Sequence, residues 1–304
     1  MHDKDGKIWM DGNLVDWRNA KVHVLTHTLH YGCGVFEGIR CYEAQQGPAV
    51  FRLGEHIQRL YNSAHILGMS IPFPLEELNR ACLDVVRANA LRSGYIRPLI
   101  YYGAESMGLN PAANRVHGAV AAWSWGAYLG EEGLEKGIRI KTSSYTRHHP
   151  NVTMTRAKSV GNYTNSILAK SEAIACGFDE ALMLDTEGYV SEGSGENIFL
   201  VQGKTLKTPP LDSALKGITR DTVMVLAREL GFEVVEMRFP RDEVLISDEA
   251  FFTGTAAEIT PIRELDGRRI GVGHAGPITK QIQKYFFDVV HGHHPQHGAW
   301  LTPV

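Results

Sequence analysis

The 304-residue chain is 43% hydrophobic and 21% charged, enough to bury one large core or two medium ones, and two domains are expected at this length. Its 31 basic and 34 acidic residues are mixed along the whole length for a net charge of −3; with no basic block to neutralise phosphates, small molecules are the expected partners, and neither nucleic acid nor membrane. Cys33, Cys41, Cys82 and Cys176 form no C-x-x-C pair, no apolar run is long enough to cross a bilayer, and the chain opens on charged MHDKDGK, so a soluble cytoplasmic protein with reduced thiols is expected.

KIWMDGNLVDW predicts a hairpin, with Asp11-Gly12 as a type I′ turn signal between apolar runs. VFEGIRCYEA and AVFRL, separated by Gln45-Gln46-Gly47-Pro48, predict a second strand pair. EHIQRLYNSAHILGM and LEELNRACLDVVRANAL carry apolar residues three and four apart and predict helices, ended by Gly68 and by Ser93-Gly94. YIRPLIYYG and VHGAVAAWSWG read as strands, and the glycine-punctuated WGAYLGEEG as a linker. Beyond it come IRIKTSSYTR as a strand, YTNSILAKSEAIACG as a helix, EALMLDTEGYVSEG as a hairpin and NIFLV as a strand. TRDTVMVLARELGF and TKQIQKYFFDVVHG predict amphipathic helices, with VLISDEAFFTG as a strand between them. Strands and helices mix without regular β-α-β alternation, so the expected class is α+β. The expected division is a small domain at 1–125, a linker at 126–133 and a large domain at 134–304.

Several residues could carry chemistry. Lys158 lies in TRAKSVGNY among small and polar residues, where an amine with a depressed pKa, aided by Arg156, would attack a carbonyl; an ordinary solvated lysine fits as well. Glu192 and Glu196 lie in SEGSGENIF, where glycines permit close backbone approach; a buried carboxylate there could keep a pyridine nitrogen protonated, and a turn with two solvated acids is the alternative. Gly217-Ile218-Thr219 opens a helix, with Thr219 at a candidate cap position, and its N–H groups could cradle a phosphate or be self-capped. The turn from Thr253 to Glu258 offers further hydroxyl and N–H groups, and Arg59 a fixed cation or a helix-surface arginine.

Two patterns are set aside. Gly271 to Gly276 fits G-x-G-x-x-G, but too little chain remains for the second strand that dinucleotide binding requires. His23, His27 and His30, and the tail histidines His291, His293, His294 and His297, lack carboxylate or cysteine partners at ligand spacing, so no metal is expected.

Taken in order, HTLHYGCGVFEGIRCY, FRLGEHIQRLYNSA, YIRPLI, WGAYLG, AKSVGNY, GYVSEGSGENIF, KGITRD and TGTAAEITPI resemble the branched-chain aminotransferase family of class IV, fold-type IV pyridoxal-phosphate enzymes, the bacterial form in particular. The resemblance runs from about Trp9 to the last helix. It implies an α+β fold of two domains with pyridoxal 5′-phosphate between them. The implied activity is reversible, ping-pong transamination of leucine, isoleucine or valine with 2-oxoglutarate through pyridoxamine phosphate, giving the 2-oxo acid and L-glutamate. It also implies that Lys158 carries the cofactor and that Tyr163 bonds its phenolic oxygen. Glu192 pairs with the pyridine nitrogen, and Arg59, Ile218, Thr219 and Thr255 hold the phosphate. The substrate carboxylate falls to Thr255, Ala256, Ala257 and Tyr95, and glutamate's distal carboxylate to Arg97. Phe36, Tyr31, Tyr128 and Trp125 line the apolar pocket, and the Met107 to Leu109 loop closes it from a neighbouring subunit. That contact implies a homodimer at least and allows a homohexamer.

The chain departs from the family pattern at Ser159-Val160, at Leu109 and in WSWGAY, which replaces a proline-containing run; these bear on pocket size. The family's eukaryotic C-x-x-C switch is absent, so no thiol regulation is expected. Rival readings are a class IV transaminase of D-amino acids or amines, an aminodeoxychorismate lyase, a NAD-binding dehydrogenase and a non-catalytic binding protein. Tyr95-Ile96-Arg97 and the complete TGTAAE resemble the branched-chain branch.

Overall fold

The computed structural model describes residues 5–126 and 129–304, apart from the side chain of Glu131. The chain divides into two compact units, one of Met1–Trp125, Ala157–Gly161 and Val289–Val304, the other of Gly126–Arg156 and Asn162–Asp288.

In the first unit, β1 (Lys7–Met10) and β2 (Asn13–Asp16) form the expected hairpin. Asp11 and Gly12 have φ of 45° and 92°, the left-handed pair that a type I′ turn demands. There follow α1 (His27–Tyr31), β3 (Gly34–Phe36), β4 (Ile39–Ala44), β5 (Gly47–Phe51), α2 (Leu53–Ile66), α3 (Leu75–Ala88), β6 (Gly94–Tyr102) and β7 (Val116–Trp123). The helices bury Leu53, Ile57, Leu60 and Leu78, Cys82, Val85 against Ile96, Ile100, Val120 and Ala122 of β6 and β7. Each such side chain contributes roughly 1.5–3 kcal/mol. Because strand side chains alternate, the other sheet face carries Tyr95, Arg97 and Trp123.

The single strand predicted over VFEGIRCYEA is instead two. β3 and β4 both pair with β6 and break at Glu37-Gly38. Glu37 N–H donates to Pro98 O, but Pro98 has no N–H to return, so the ladder is interrupted there.

The second unit contains α4 (Glu131–Lys136), β8 (Ile138–Thr142), α5 (Tyr163–Ala175), β9 (Glu180–Leu184), β10 (Val190–Gly193), β11 (Asn197–Gln202) and β12 (Thr205–Thr208). Then come α6 (Ile218–Glu229), β13 (Glu233–Glu236), α7 (Arg241–Ile246), β14 (Glu249–Gly254), β15 (Glu258–Leu265), β16 (Arg268–Arg269) and α8 (Pro277–Val290), whose end passes back to the first unit. The sheet runs β10-β9-β8-β15-β14-β11-β12-β13, with β16 on β15. It mixes parallel and antiparallel pairs, as an α+β unit does. The strand predicted over VLISDEAFFTG is a correction: Val244, Leu245 and Ile246 close α7, and the strand starts only at Glu249. That apolar triplet suits either element, and Val244 is buried from the helix.

β17 (Leu301–Pro303) completes the first unit's sheet, in the order β17-β5-β4-β6-β7-β1-β2 with β3 on β6. No helix among the described residues is long and apolar enough to cross a membrane.

Candidate active site

Lys158 sits in a short segment pinned to the first unit. Phe36 N donates to Lys158 O at 3.1 Å, Val160 N to Gly34 O at 2.8 Å, and Gly161 N to Gly32 O at 3.0 Å. The half-buried lysine's Nζ lies 5.0 Å from the Phe36 ring centroid. Its backbone N–H donates to Ser63 Oγ at 3.0 Å, and Ser63 Oγ donates to Arg59 O at 2.8 Å, so one hydroxyl of α2 ties Lys158 to Arg59.

Arg59 in turn grips Glu37 with Nε to Oε1 at 2.6 Å and Nη2 to Oε2 at 2.8 Å. His56, one turn earlier, bonds Glu37 Oε2 through Nδ1 at 2.8 Å. Glu37 is fully buried, which by itself would raise its pKa; the Arg59 charge and the hydrogen bonds from Arg59 and His56 overcome this and hold it well below the usual carboxylate range. Burial pushes His56 below the ordinary histidine value, against the opposing pull of Glu37, so the imidazole is neutral near pH 7 and Nδ1 carries the proton donated. Neither Glu37 nor His56 was marked by the sequence, where both look like ordinary polar residues.

Phe36, Tyr95, Arg97 and Trp125 gather on the face of β6 opposite Ile96 and Ile100. The Arg97 guanidinium carbon lies 4.8 Å from the Phe36 centroid and 5.2 Å from that of Tyr95, and Nη2 donates to Tyr95 Oη at 3.3 Å. Tyr95 and Trp125 meet edge to face at 4.6 Å. Gly38 makes this possible: a Cβ there would fall on the Tyr95 hydroxyl. Tyr31 and the Met107 to Leu109 loop group elsewhere, around His27, whose ring lies 4.6 Å from Tyr31 and whose Nε2 bonds Gly108 O at 2.8 Å. Leu109 is 87% exposed. Tyr128 lies outside the described residues.

In the second unit Glu192 is buried on β10. Its Oε2 accepts from Leu215 N at 3.1 Å and Asn197 Nδ2 at 3.3 Å, and Oε1 lies 3.0 Å from Arg147 Nε. Buried Arg147, which hydropathy gives no means of finding, also donates to Asn165 and Ser166 near the start of α5, where half-buried Tyr163 stands. Asn197 pairs with Thr253 across β11 and β14, and the turn of Thr255, Ala256 and Ala257 follows directly. Asn197 Oδ1 also occupies the space a Cβ on Gly217 would need.

Gly217, not Thr219, is the cap residue of α6. It is extended (φ −69°, ψ 131°) and, as a glycine, has no side chain of its own to cap the helix, which starts at Ile218 with Thr219 buried in its first turn. The contrast with α8 is chemical. There Glu249 accepts from Ile278 N and Thr279 N, so the helix behind Gly271 to Gly276 already has a carboxylate at its N-terminus. Glu196 is buried too; burial and then the neighbouring Glu180 charge push its carboxyl up to about 8. Arg156 is exposed and donates to Leu211 O.

The Amino-transferase class IV family model matches residues 34–265. The chain belongs to the class IV aminotransferase family. A branched-chain-amino-acid aminotransferase of Pseudomonas aeruginosa is 59% identical over 304 residues, 100% of this chain and 99% of the relative. The crystal structure of a T.th. branched-chain amino acid aminotransferase with pyridoxamine 5′-phosphate matches with TM-score 0.96 at 52% identity, covering 99% of each chain. That of the T.th. enzyme complexed with N-(5′-phosphopyridoxyl)-L-glutamate matches at 0.95 and 50%, again over 99% of each. Within class IV, similarity over the whole chain thus falls on branched-chain enzymes.

Proposed function

We propose that this chain is a pyridoxal-phosphate-dependent branched-chain aminotransferase, moving the amino group of leucine, isoleucine or valine to 2-oxoglutarate reversibly, in two half-reactions through pyridoxamine phosphate. The observation that carries the reading is the Lys158 amine, fixed by main-chain bonds to β3 and set 5.0 Å from Phe36 on the strand beside Arg97.

The donor set fits the cofactor: an amine, a buried carboxylate that pairs with Arg147 and accepts from Leu215 N and Asn197, and a helix N-terminus whose cap residue is a glycine. When bound, pyridoxal phosphate supplies an electron sink for charge developing at the substrate Cα. Lys158 would hold it, and its amine would remove and return the proton at the substrate Cα. Glu192 would hold the pyridine nitrogen and Tyr163 the phenolic oxygen. Arg59, Ile218, Thr219 and Thr255 hold the phosphate. Tyr95 and the turn of Thr255, Ala256 and Ala257 orient the substrate carboxylate, while Phe36, Trp125 and Tyr128, with Tyr31 from the group around His27, receive its aliphatic side chain and Arg97 a distal carboxylate.

Met107 and Leu109, both exposed, serve the pocket of a second copy, which makes the working unit a homodimer at least. Of the two-domain division at 1–125 and 134–304, the boundary after Trp125 has support, whereas Ala157–Gly161 and Val289–Val304 group with the first unit; the unpaired cysteines suit the cytoplasm.

The test is a visible spectrum of purified protein before and after leucine. The yellow band should bleach with leucine and be absent from Lys158→Ala. A wild type that stays colourless with added pyridoxal phosphate overturns the proposal.

A further inference from the structure

The β6 and β7 register sets Tyr95 opposite Trp123 and Arg97 opposite Ala121, so Trp123 joins the Arg97 face, in the WSWGAY segment that departs from the family pattern. Its ring lies 5.4 Å from Tyr95, 5.9 Å from Trp125 and 6.0 Å from the Arg97 guanidinium carbon. Two donors in this cluster are buried with no hydrogen-bond partner among the described residues: Trp123 Nε1 and Arg97 Nε. A buried donor left unpaired loses its hydration with no return, so the two call for an acceptor, and the Arg97 charge beside them favours an anionic one. An aliphatic side chain can cover the rings but satisfies neither N–H. A carboxylate, with two acceptor oxygens, is a partner for both kinds of donor.

We infer that Trp123 is a specificity-determining residue, its indole N–H joining Arg97 in receiving the second carboxylate of a five-carbon dicarboxylic substrate. The inference rests on the transaminase reading above. Leucine-type substrates are read by the ring faces instead, so the indole discriminates between the two half-reactions' substrates.

The test uses holoenzyme and two unreactive probes, glutarate and 4-methylpentanoate, titrated by calorimetry. Trp123→Phe keeps an aromatic ring and deletes the donor. Glutarate Kd should rise about tenfold, as for loss of one hydrogen bond to a charged group, while 4-methylpentanoate Kd stays within about twofold. Equal weakening of both probes, or unchanged glutarate binding, overturns the inference. Should the variant fail to fold, the wild type still decides. One of its five indole N–H resonances must shift with glutarate and not with 4-methylpentanoate, and none shifting overturns the role. Leucine bleaching of the wild-type spectrum checks the underlying reading separately. A wild type that bleaches, beside an indifferent Trp123→Phe, defeats only the indole's part.

Discussion

Arg147 Nε lies 3.0 Å from Glu192 Oε1, and both residues are buried. The Nε–H is not aligned on that oxygen, so the contact is an ion pair rather than a directed hydrogen bond. The other guanidinium nitrogens donate to Gly193 O, Ser194 O, Asn165 and Ser166. Arg147 thus fixes the carboxylate and the chain beside it together. Arg147→Met should lower unfolding free energy by about 3–5 kcal/mol, the usual effect of stranding a buried charge. It should also weaken retention of the yellow cofactor. Urea titration reads the first, and an unchanged midpoint would refute the pairing's importance.

Glu37 bears on Arg59 in the same way. Glu37→Gln removes the charge that holds the guanidinium, and should destabilise the protein by about 3 kcal/mol and raise the pyridoxal-phosphate Kd by about tenfold. The folded carboxyl titrates below its unfolded value of 4.5, so its contribution is present above pH 4.5 and fades as pH falls below it. Wild type and variant should therefore converge in acid. A constant gap from pH 7 to pH 3 would contradict the assignment.

Gly38→Ala puts a methyl group on the Tyr95 hydroxyl, displacing it from Arg97 Nη2. A loss of kcat/KM of about tenfold to a hundredfold is expected, equivalent to roughly 1–3 kcal/mol of strain. Gly54→Ala, where a Cβ meets nothing within 4 Å, is the control and should leave steady-state kinetics unaltered. Equal behaviour of the two variants would dissociate Gly38 from the aromatic cluster.

Glu196 carries the opposite pH signature to Glu37. Its folded carboxyl titrates near 8, against 4.5 unfolded, so folding takes up a proton and the advantage fades as pH rises from about 4.5 to 8. Glu196→Gln is neutral throughout. Its Tm should exceed that of wild type by about 2–4 °C at pH 8.5 and by less at pH 5.5. Differential scanning calorimetry at both pH values decides it, and a larger gain at the lower pH would reverse the sign.

Elements with strong periodicity were legible in the chain: α2 and α3 bury every third or fourth residue, and Asp11-Gly12 announces its turn by chemistry alone. Interruptions were not. The break at Glu37-Gly38 depends on Pro98 across the strand, and α1 spans too few residues to show a period. The glycines around Lys158 and Glu192 draw attention to both. Glu37, His56 and Arg147 stay hidden because hydropathy assigns charged residues to the surface. What compensates each is distant in sequence, 22 positions away for Glu37 and Arg59.

β17 pairs Leu301 with Phe51, Thr302 with Val50 and Pro303 with Ala49, giving β5 its outer neighbour. A ribosome makes those residues only after all of the second unit. Until then the nascent chain carries β5 as an open edge, the kind of strand that recruits other polypeptides. The first unit, begun earliest, therefore matures last, and premature termination before Leu301 would yield a product prone to aggregate rather than a slightly shorter enzyme.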